Sequence, residues 1–252
     1  MSVVDLGLSR TLADVARAPK LLVGSDFDGT LAAIVEDPDD ARAVDGALDA
    51  LRRLVACPGV TVLVLSGRSL RELSVLLHGV DGVRLVGSHG AERDDAGSAL
   101  TEAQEQLRAR VVLALSRASA GVPGALLERK PAGAAVHVRR SSREDAVRLL
   151  GELRAGPATW PGVHATEGKE VLELSVVDVD KGRAFARLRD ELDVDAAVFV
   201  GDDVTDENVF GRLGGTDLGV KVGPGPTRAS HRVARPEDVV VMLDALAAAR
   251  GG

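Results

Sequence analysis

The sequence predicts an α/β fold: a doubly wound, mostly parallel sheet with a smaller α+β domain inserted as a cap. Three observations carry this. At both ends of the chain, apolar runs of strand length alternate with amphipathic runs of helix length, the pattern of βαβ units with right-handed crossovers. Between them the texture changes to short strands that alternate apolar and polar residues, as an antiparallel sheet with one face in water requires. Four polar clusters each follow an apolar strand run, and the carboxyl ends of parallel strands are where open sheets bind ligands.

Taken in order, the first 18 residues hold a short helix. Leu21 to Ser25 reads as a strand, followed by a helix near Val44 to Ala56, a strand Val60 to Ser66, a helix near Leu70 to His78 and a strand Arg84 to Ser88. A helix near Glu102 to Ala118 leads into strands Ala125 to Lys130 and Ala134 to Arg139, a helix near Ser142 to Arg154, and strands Val163 to Thr166 and Val171 to Val177. The parallel pattern then returns with a helix Lys181 to Glu191, a strand Ala196 to Gly201, a helix from Thr205, a strand Leu218 to Val222 and a closing helix Glu237 to Ala249. The run Gly223 to Pro226 is turn chemistry. The expected core is therefore 1–102 with 179–252, and the expected cap is 103–178.

With 45% hydrophobic residues among 252 and a formal net charge of −7, the chain can bury one large core or two modest ones. Four Phe, one Trp and no Tyr leave few stacking platforms for bases, and the acidic balance disfavours tracking a phosphate backbone, so no nucleic-acid partner is expected. No apolar stretch approaches the roughly 18 residues of a membrane span, so no membrane partner is expected either. Met1 to Arg10 lacks a basic region followed by an apolar core, which makes the cytoplasm the expected location; a monomer is the expected state. The single cysteine, Cys57, has no partner for an internal disulfide or a zinc site and is expected as a buried thiol at a helix end.

The four clusters are Asp26-Phe27-Asp28-Gly29-Thr30, Ser66-Gly67-Arg68, Gly87-Ser88-His89-Gly90, and Gly201-Asp202-Asp203-Val204-Thr205-Asp206-Glu207. On parallel strands they meet along one edge, and carboxylates from both ends of the chain would crowd there unless a hard cation neutralises them. Mg²⁺, which takes oxygen ligands and keeps several waters, is the expected cofactor. An aspartate is an established phosphoryl acceptor once neighbouring charge is masked. A second carboxyl two residues on, Asp28, can protonate the leaving oxygen and then activate water. Ser66 can hydrogen-bond a phosphoryl oxygen, and Lys181 at a helix start can supply a point charge. In the cap, Glu128, Lys130 and Glu173 sit among Ala and Val on short strands, which suits a face that recognises sugar hydroxyls through paired polar groups. His137 and Arg139 alternate with Val136 and Val138 and so share a face. Plainer readings stand beside these: an Asx-capped turn at Asp26 and Asp28, a helix N-cap at Gly201 to Glu207, an N-cap serine at Ser66, a solvated lysine at Lys181, a turn histidine at His89, and a solvated sheet face in the cap.

Asp26-Phe27-Asp28-Gly29-Thr30-Leu31, Ser66, Lys181 and Gly201-Asp202-Asp203 resemble, in that order, the four motifs of the haloacid dehalogenase-like phosphatases. Ser66-Gly67-Arg68, Gly87-Ser88-His89-Gly90-Ala91-Glu92, Glu128-x-Lys130, His137-x-Arg139, Glu167-Gly168-Lys169-x-Val171-x-Glu173, Asp180-Lys181-Gly182 and Gly201-Asp202-Asp203-x-Thr205-Asp206-Glu207 narrow the resemblance to the trehalose-6-phosphate phosphatases, over residues 20 to 245. The resemblance implies the Rossmann-like core of that superfamily, with Asp26 as nucleophile and Asp28 as general acid/base. It implies Mg²⁺ held by Asp26, the backbone carbonyl of Asp28 and Asp202, with Asp203 and Asp206 in support. It also implies that Thr30, Gly67, Arg68, His89, Glu128, Lys130, His137, Arg139 and Glu173 contact a small-molecule sugar phosphate as the cap closes. The implied activity is hydrolysis of trehalose 6-phosphate to trehalose and phosphate through an aspartyl phosphate. The chain departs from the family pattern at Gly133, where Ser is frequent, and at Ser175, where a basic residue is common. Another capped sugar phosphatase, acting on sucrose phosphate or mannosyl phosphoglycerate, and a non-catalytic sugar-phosphate sensor are the alternatives.

Overall fold

The structure, a computed structural model, describes residues 6–93, 100–168, 170–178 and 180–251. The chain divides into two compact units, 1–94 with 180–252, and 95–179. Lys169, part of one quoted motif, lies outside the described residues.

The first unit begins with α1 (Leu6–Val15), β1 (Leu21–Ser25), α2 (Ala47–Val55), β2 (Val60–Leu65), α3 (Leu70–Leu76), β3 (Val83–Gly87) and the two-residue β4 (Glu92–Arg93). The inserted unit holds α4 (Glu102–Ser119), β5 (Leu126–Lys130), β6 (Gly133–His137), α5 (Arg143–Ala155), β7 (His164–Gly168) and β8 (Val171–Ser175). The first unit resumes with α6 (Lys181–Leu192), β9 (Ala196–Gly201), α7 (Glu207–Phe210), β10 (Leu218–Val222), β11 (His231–Val233) and α8 (Pro236–Gly251).

The seven strands of the first unit run in the order β11-β10-β9-β1-β2-β3-β4, all parallel except the antiparallel β4. β1 lies between β2 and β9, and helices cover both faces of the sheet, so all five of its residues are buried, which is why it reads as a continuous apolar run. One face packs Leu21 and Val23 against α1, α2 and α8 through Leu8, Leu51, Leu54, Met242 and Leu246. The other packs Leu22 against Phe185, Leu188, Phe199 and Phe210 from α6, β9 and α7. Each such fully buried side chain contributes about 1.5–3 kcal/mol. Gly24 makes the second face possible: a Cβ there would stand 2.8 Å from both Phe185 and Phe199, whose rings meet edge to face at 5.3 Å.

The second unit is a four-stranded antiparallel sheet, β5-β6-β8-β7, with α4 and α5 on one face. Leu127, Ala134, Val136, Leu172 and Leu174 face the helices. Register puts Glu128 beside Ala135, Glu173 and Thr166, and Lys130 beside Gly133, Ser175 and His164, on the opposite face.

Several boundaries differ from the sequence reading. The helix from Thr205 is a 3-10 turn, Val204–Asp206, closed by the Asp203 N–H on the Asp206 carboxylate, and only the four residues of α7 follow it. The strand expected to reach Arg139 ends at His137, where Val138 turns its N–H to the Glu170 carbonyl at 2.9 Å. The strand expected to reach Val177 ends at Ser175. Cys57 is half-buried rather than buried, with its thiol donating to the Arg53 carbonyl at 3.3 Å.

Candidate active site

β1 carries Asp26 just past its last residue, and the Asp26 N–H donates to the Val200 carbonyl of β9 at 2.9 Å, fixing the carboxylate at the carboxyl edge of the sheet. The chain then turns back at once: the Phe27 carbonyl accepts from Leu31 (2.8 Å) and Ala32 (2.9 Å). Gly29 sits in this turn at φ 75, and a Cβ there would fall 2.1 Å from an Asp202 carboxylate oxygen. The glycine therefore lets the carboxylate from β9 lie directly over the turn from β1. Thr30, fully buried, donates its hydroxyl to Asp202 Oδ1 at 3.3 Å.

Lys181, the first residue of α6, is 2% exposed and joins the two halves of the unit. The Asp180 side chain caps α6 by accepting the Arg183 N–H at 2.8 Å, and the Lys181 ammonium donates to Asp26 Oδ2 at 2.6 Å and to Asp206 Oδ1 at 2.9 Å. Asp206, fully buried, accepts the Asp203 N–H on its other oxygen at 2.9 Å. Gly201 at the end of β9 permits this return, since a Cβ would lie 2.3 Å from Asp206 Cγ. Carboxylate oxygens of Asp26, Asp202 and Asp206 all lie within 4.8 Å of one another.

Three carboxylates around one ammonium are short of positive charge. Burial, with Asp206 and Asp202 adding to it against the pull of Lys181, pushes the Asp26 carboxyl up to about 8. Burial likewise pushes Asp202 up to about 6, helped by Asp206 and Asp203 and offset by Lys181 and Lys221. Burial works against the charge on Lys181, yet Asp206 and Asp26 outweigh it and hold the ammonium above its ordinary value. An all-oxygen donor set at this spacing, with its charge uncompensated, fits a hard divalent cation such as Mg²⁺.

Asp28 is held differently. Arg68 closes on it in a fork, Nε to Oδ2 and Nη2 to Oδ1, both at 2.7 Å. The Asp28 side chain is 38% exposed, and its carboxylate is not part of the Asp26, Asp202 and Asp206 group. Ser66, buried at the end of β2, accepts the Arg68 N–H at 3.3 Å, so the Ser66-Gly67-Arg68 loop is internally tied. The Ser88 N–H donates to the Arg68 carbonyl (2.7 Å) and the His89 N–H to the Ser66 carbonyl (2.9 Å). Ser88 and His89 have φ values of 48 and 55, two consecutive non-glycine residues in left-handed backbone, and such strain concentrates at functional sites. The His89 ring lies against Gly67, where a Cβ would come within 2.6 Å of it. The buried Glu92 carboxylate accepts the Ser88 hydroxyl beneath the loop.

On the polar face of the second unit, Lys130 donates to Glu173 at 2.6 Å, Glu128 and His137 are bonded at 2.8 Å, and the Lys130 ammonium stands 3.9 Å from Glu128. Gly133 and Ala135, small and buried, lie on β6 between the strands that carry Lys130 and Glu173. Gly133 is required for close backbone approach, because a Cβ would lie 1.8 Å from the Leu174 carbonyl oxygen. Arg139 pairs with Glu170 at 3.7 Å beyond the end of β6.

The structure thus groups Asp26, Lys181, Asp202, Asp206 and Thr30 at one edge, Ser66, Gly67, Arg68, His89 and Asp28 along the neighbouring loops, and Glu128, Lys130, His137 and Glu173 on the second unit. Asp203 is exposed and contributes its N–H to Asp206. Lys221 was missed by the sequence reading: 5% exposed on β10, it donates to the Asp202 backbone carbonyl. The signal for it was a lysine inside an otherwise apolar run, Leu218 to Val222.

The family model described as Trehalose-phosphatase matches residues 25–236. A trehalose-phosphate phosphatase of Mycobacterium tuberculosis (strain H37Rv) is 36% identical over 264 residues, covering 96% of this chain and 64% of the relative. One from Mycobacterium ulcerans is 35% identical over 223 residues, covering 83% of this chain and 55% of the relative. The chain thus spans less than two thirds of the length of these curated relatives. The solved C-terminal domain of a C. albicans trehalose-6-phosphate phosphatase superposes with a TM-score of 0.81 at 26% identity, covering 96% of this chain and 98% of that one. Among the described residues, no helix is long and apolar enough to cross a membrane.

Proposed function

The chain belongs to the trehalose-phosphatase family, and we propose that it hydrolyses trehalose 6-phosphate to trehalose and inorganic phosphate through an aspartyl phosphate on Asp26, with Mg²⁺ as cofactor. The observation that carries this reading is the buried Asp26 carboxylate, bonded to Lys181 at 2.6 Å and grouped with the carboxylates of Asp202 and Asp206. Asp26, Asp202 and, in support, Asp206 would hold the cation, with the Asp28 backbone carbonyl and Asp203 assigned to the same site. When bound, Mg²⁺ would supply the positive charge that masks these carboxylates and lets a phosphate dianion approach.

Asp26 Oδ2 is fixed by Lys181 and Oδ1 by the Phe27 N–H at 2.6 Å, so the nucleophile is oriented before substrate arrives. Lys181 and the Ser66 hydroxyl stabilise charge on the transferring phosphoryl group, with Thr30 and Gly67 lining its position. Asp28 gives a proton to the leaving sugar oxygen, then takes one from the water that opens the acyl phosphate at Asp26. Glu128, Lys130, His137 and Glu173 recognise sugar hydroxyls through their paired donors and acceptors, and His89 and Arg139 are assigned to substrate on the family pattern. The same reading makes the protein a cytoplasmic monomer acting on a small molecule, without a nucleic-acid or membrane partner, its core spanning 1–102 with 179–252 and its cap 103–178.

Phosphate release from a panel of sugar phosphates, with Mg²⁺ and with chelator, tests this function. Metal-dependent release fastest from trehalose 6-phosphate supports it; faster release from sucrose phosphate or mannosyl phosphoglycerate discards the substrate, and none from any ester discards the enzyme.

A further inference from the structure

Arg68 binds both oxygens of Asp28, and this sits uneasily with Asp28 as a working acid/base. A guanidinium does not give up a proton, and a carboxylate whose two oxygens already accept a rigid fork is poorly placed to serve a leaving group or a water. Resting on the reading of Asp28 as acid/base, we propose that Arg68 parks Asp28 until the substrate's phosphate takes the same guanidinium donors, so that substrate binding itself releases the acid/base.

The geometry favours an exchange of partners. Arg68 is anchored through its backbone, its N–H on Ser66 Oγ at 3.3 Å and its carbonyl accepting from Ser88 at 2.7 Å. Its side chain is 10% exposed, donates to the Pro38 carbonyl at 2.9 Å and lies 5.8 Å from the centre of the Phe27 ring. The guanidinium thus has a defined place, whereas Asp28, 38% exposed, is the partner that can leave into water. A phosphate dianion presents the same pair of oxygens to the fork with more charge, and it is expected on this loop because Ser66 lies two residues away. Asp28 stands outside the Asp26, Asp202 and Asp206 group while it is parked.

The test follows the Arg68 Nε–H signal by NMR in the Mg²⁺-loaded protein, identified by its loss in Arg68→Lys, during titration with inorganic phosphate. The exchange predicts that Asp28→Asn moves this signal in the free protein, that phosphate moves it in the wild type, and that the two proteins coincide at saturation. A signal unmoved by saturating phosphate, or a difference between them that persists there, overturns it. Kinetics give a second arm: Arg68→Ala should raise KM for the sugar phosphate and the inhibition constant for phosphate about tenfold, with KM changing more than kcat. A kcat lower by about a hundredfold at unchanged KM would instead mean that Arg68 holds Asp28 in place during the reaction, and would overturn the exchange. If no phosphate ester is turned over, the functional reading fails, and the phosphate titration alone decides whether the exchange occurs.

Discussion

Lys181 in the first unit and Lys130 in the second each hold a carboxylate at 2.6 Å, yet the two clusters around them are built differently. Lys181 touches Asp26 and Asp206, so its ammonium joins α6 to the end of β1 and to the turn after β9, elements separated by 155 and 25 residues of sequence. Lys130 meets Glu173 across one sheet, and the neighbouring Glu128 and His137 side chains are each one third exposed. The first cluster is a keystone whose members lean on one another out of water. The second joins one shielded pair, Lys130 and Glu173, about a tenth exposed, to the more open Glu128 and His137, and water can replace a lost partner only at the latter two. The proposed function assigns chemistry that must exclude water to the first, and recognition of hydroxyls, which also bind water, to the second.

The largest expected effect that separates them is on turnover. Asp26→Asn should lower phosphate release by about a thousandfold or more while circular dichroism stays that of the wild type. Appreciable release by this variant would remove Asp26 as nucleophile. Next comes Lys181→Met, which leaves two buried carboxylates without their cation and should lower unfolding stability by about 3–5 kcal/mol in urea. A loss no greater than that of an exposed pair would mean that the keystone description is wrong.

Glu128→Ala is the counterpart in the second unit. Its stability change should stay within about 1 kcal/mol. Its kcat/KM should fall on trehalose 6-phosphate and hold on a small generic phosphate ester, which has no sugar to be recognised. Equal losses on both substrates would take Glu128 out of sugar recognition.

A pH dependence confined to the first cluster sharpens the same comparison. The folded state holds the Asp26 and Asp202 carboxyls up at about 8 and about 6, above their ordinary values, so between roughly pH 4 and 8 these two groups bind more protons in the folded chain than in the unfolded one. Stability of the chelated protein should therefore be highest at the acidic end of that window and decline as pH rises through it. Mg²⁺ should stabilise most at the alkaline end, where the carboxylates are ionised. Urea midpoints at pH 5.5 and 8.5, with and without Mg²⁺, read this directly, and a chelated protein that gains stability toward pH 8.5 would contradict the charge balance described.

The parts of this architecture that repeat were legible in sequence. The apolar run Leu21 to Ser25 announces a central strand because both its faces are covered, and the four polar clusters converge because parallel strands end at one edge. What escaped has no period to find. β4 spans two residues and β11 three, too short for an alternation to register. Lys221 is out of character for its strand only at the residue that reaches the Asp202 carbonyl. The fork between Arg68 and Asp28 joins loops 40 residues apart, and the departure at Gly133 is explained only by the Leu174 carbonyl that a side chain would strike. Contacts between loops distant in sequence are the part that pattern reading does not reach.

The central claim is that Asp26 becomes phosphorylated, and it is tested most directly by quenching the Mg²⁺-loaded protein in acid during turnover of trehalose 6-phosphate and mapping its peptides by mass spectrometry. The account predicts one phosphoryl group, on Asp26, that disappears once the substrate is exhausted. Turnover with no phosphoryl group on Asp26 at any time, or with one on another residue, would contradict it.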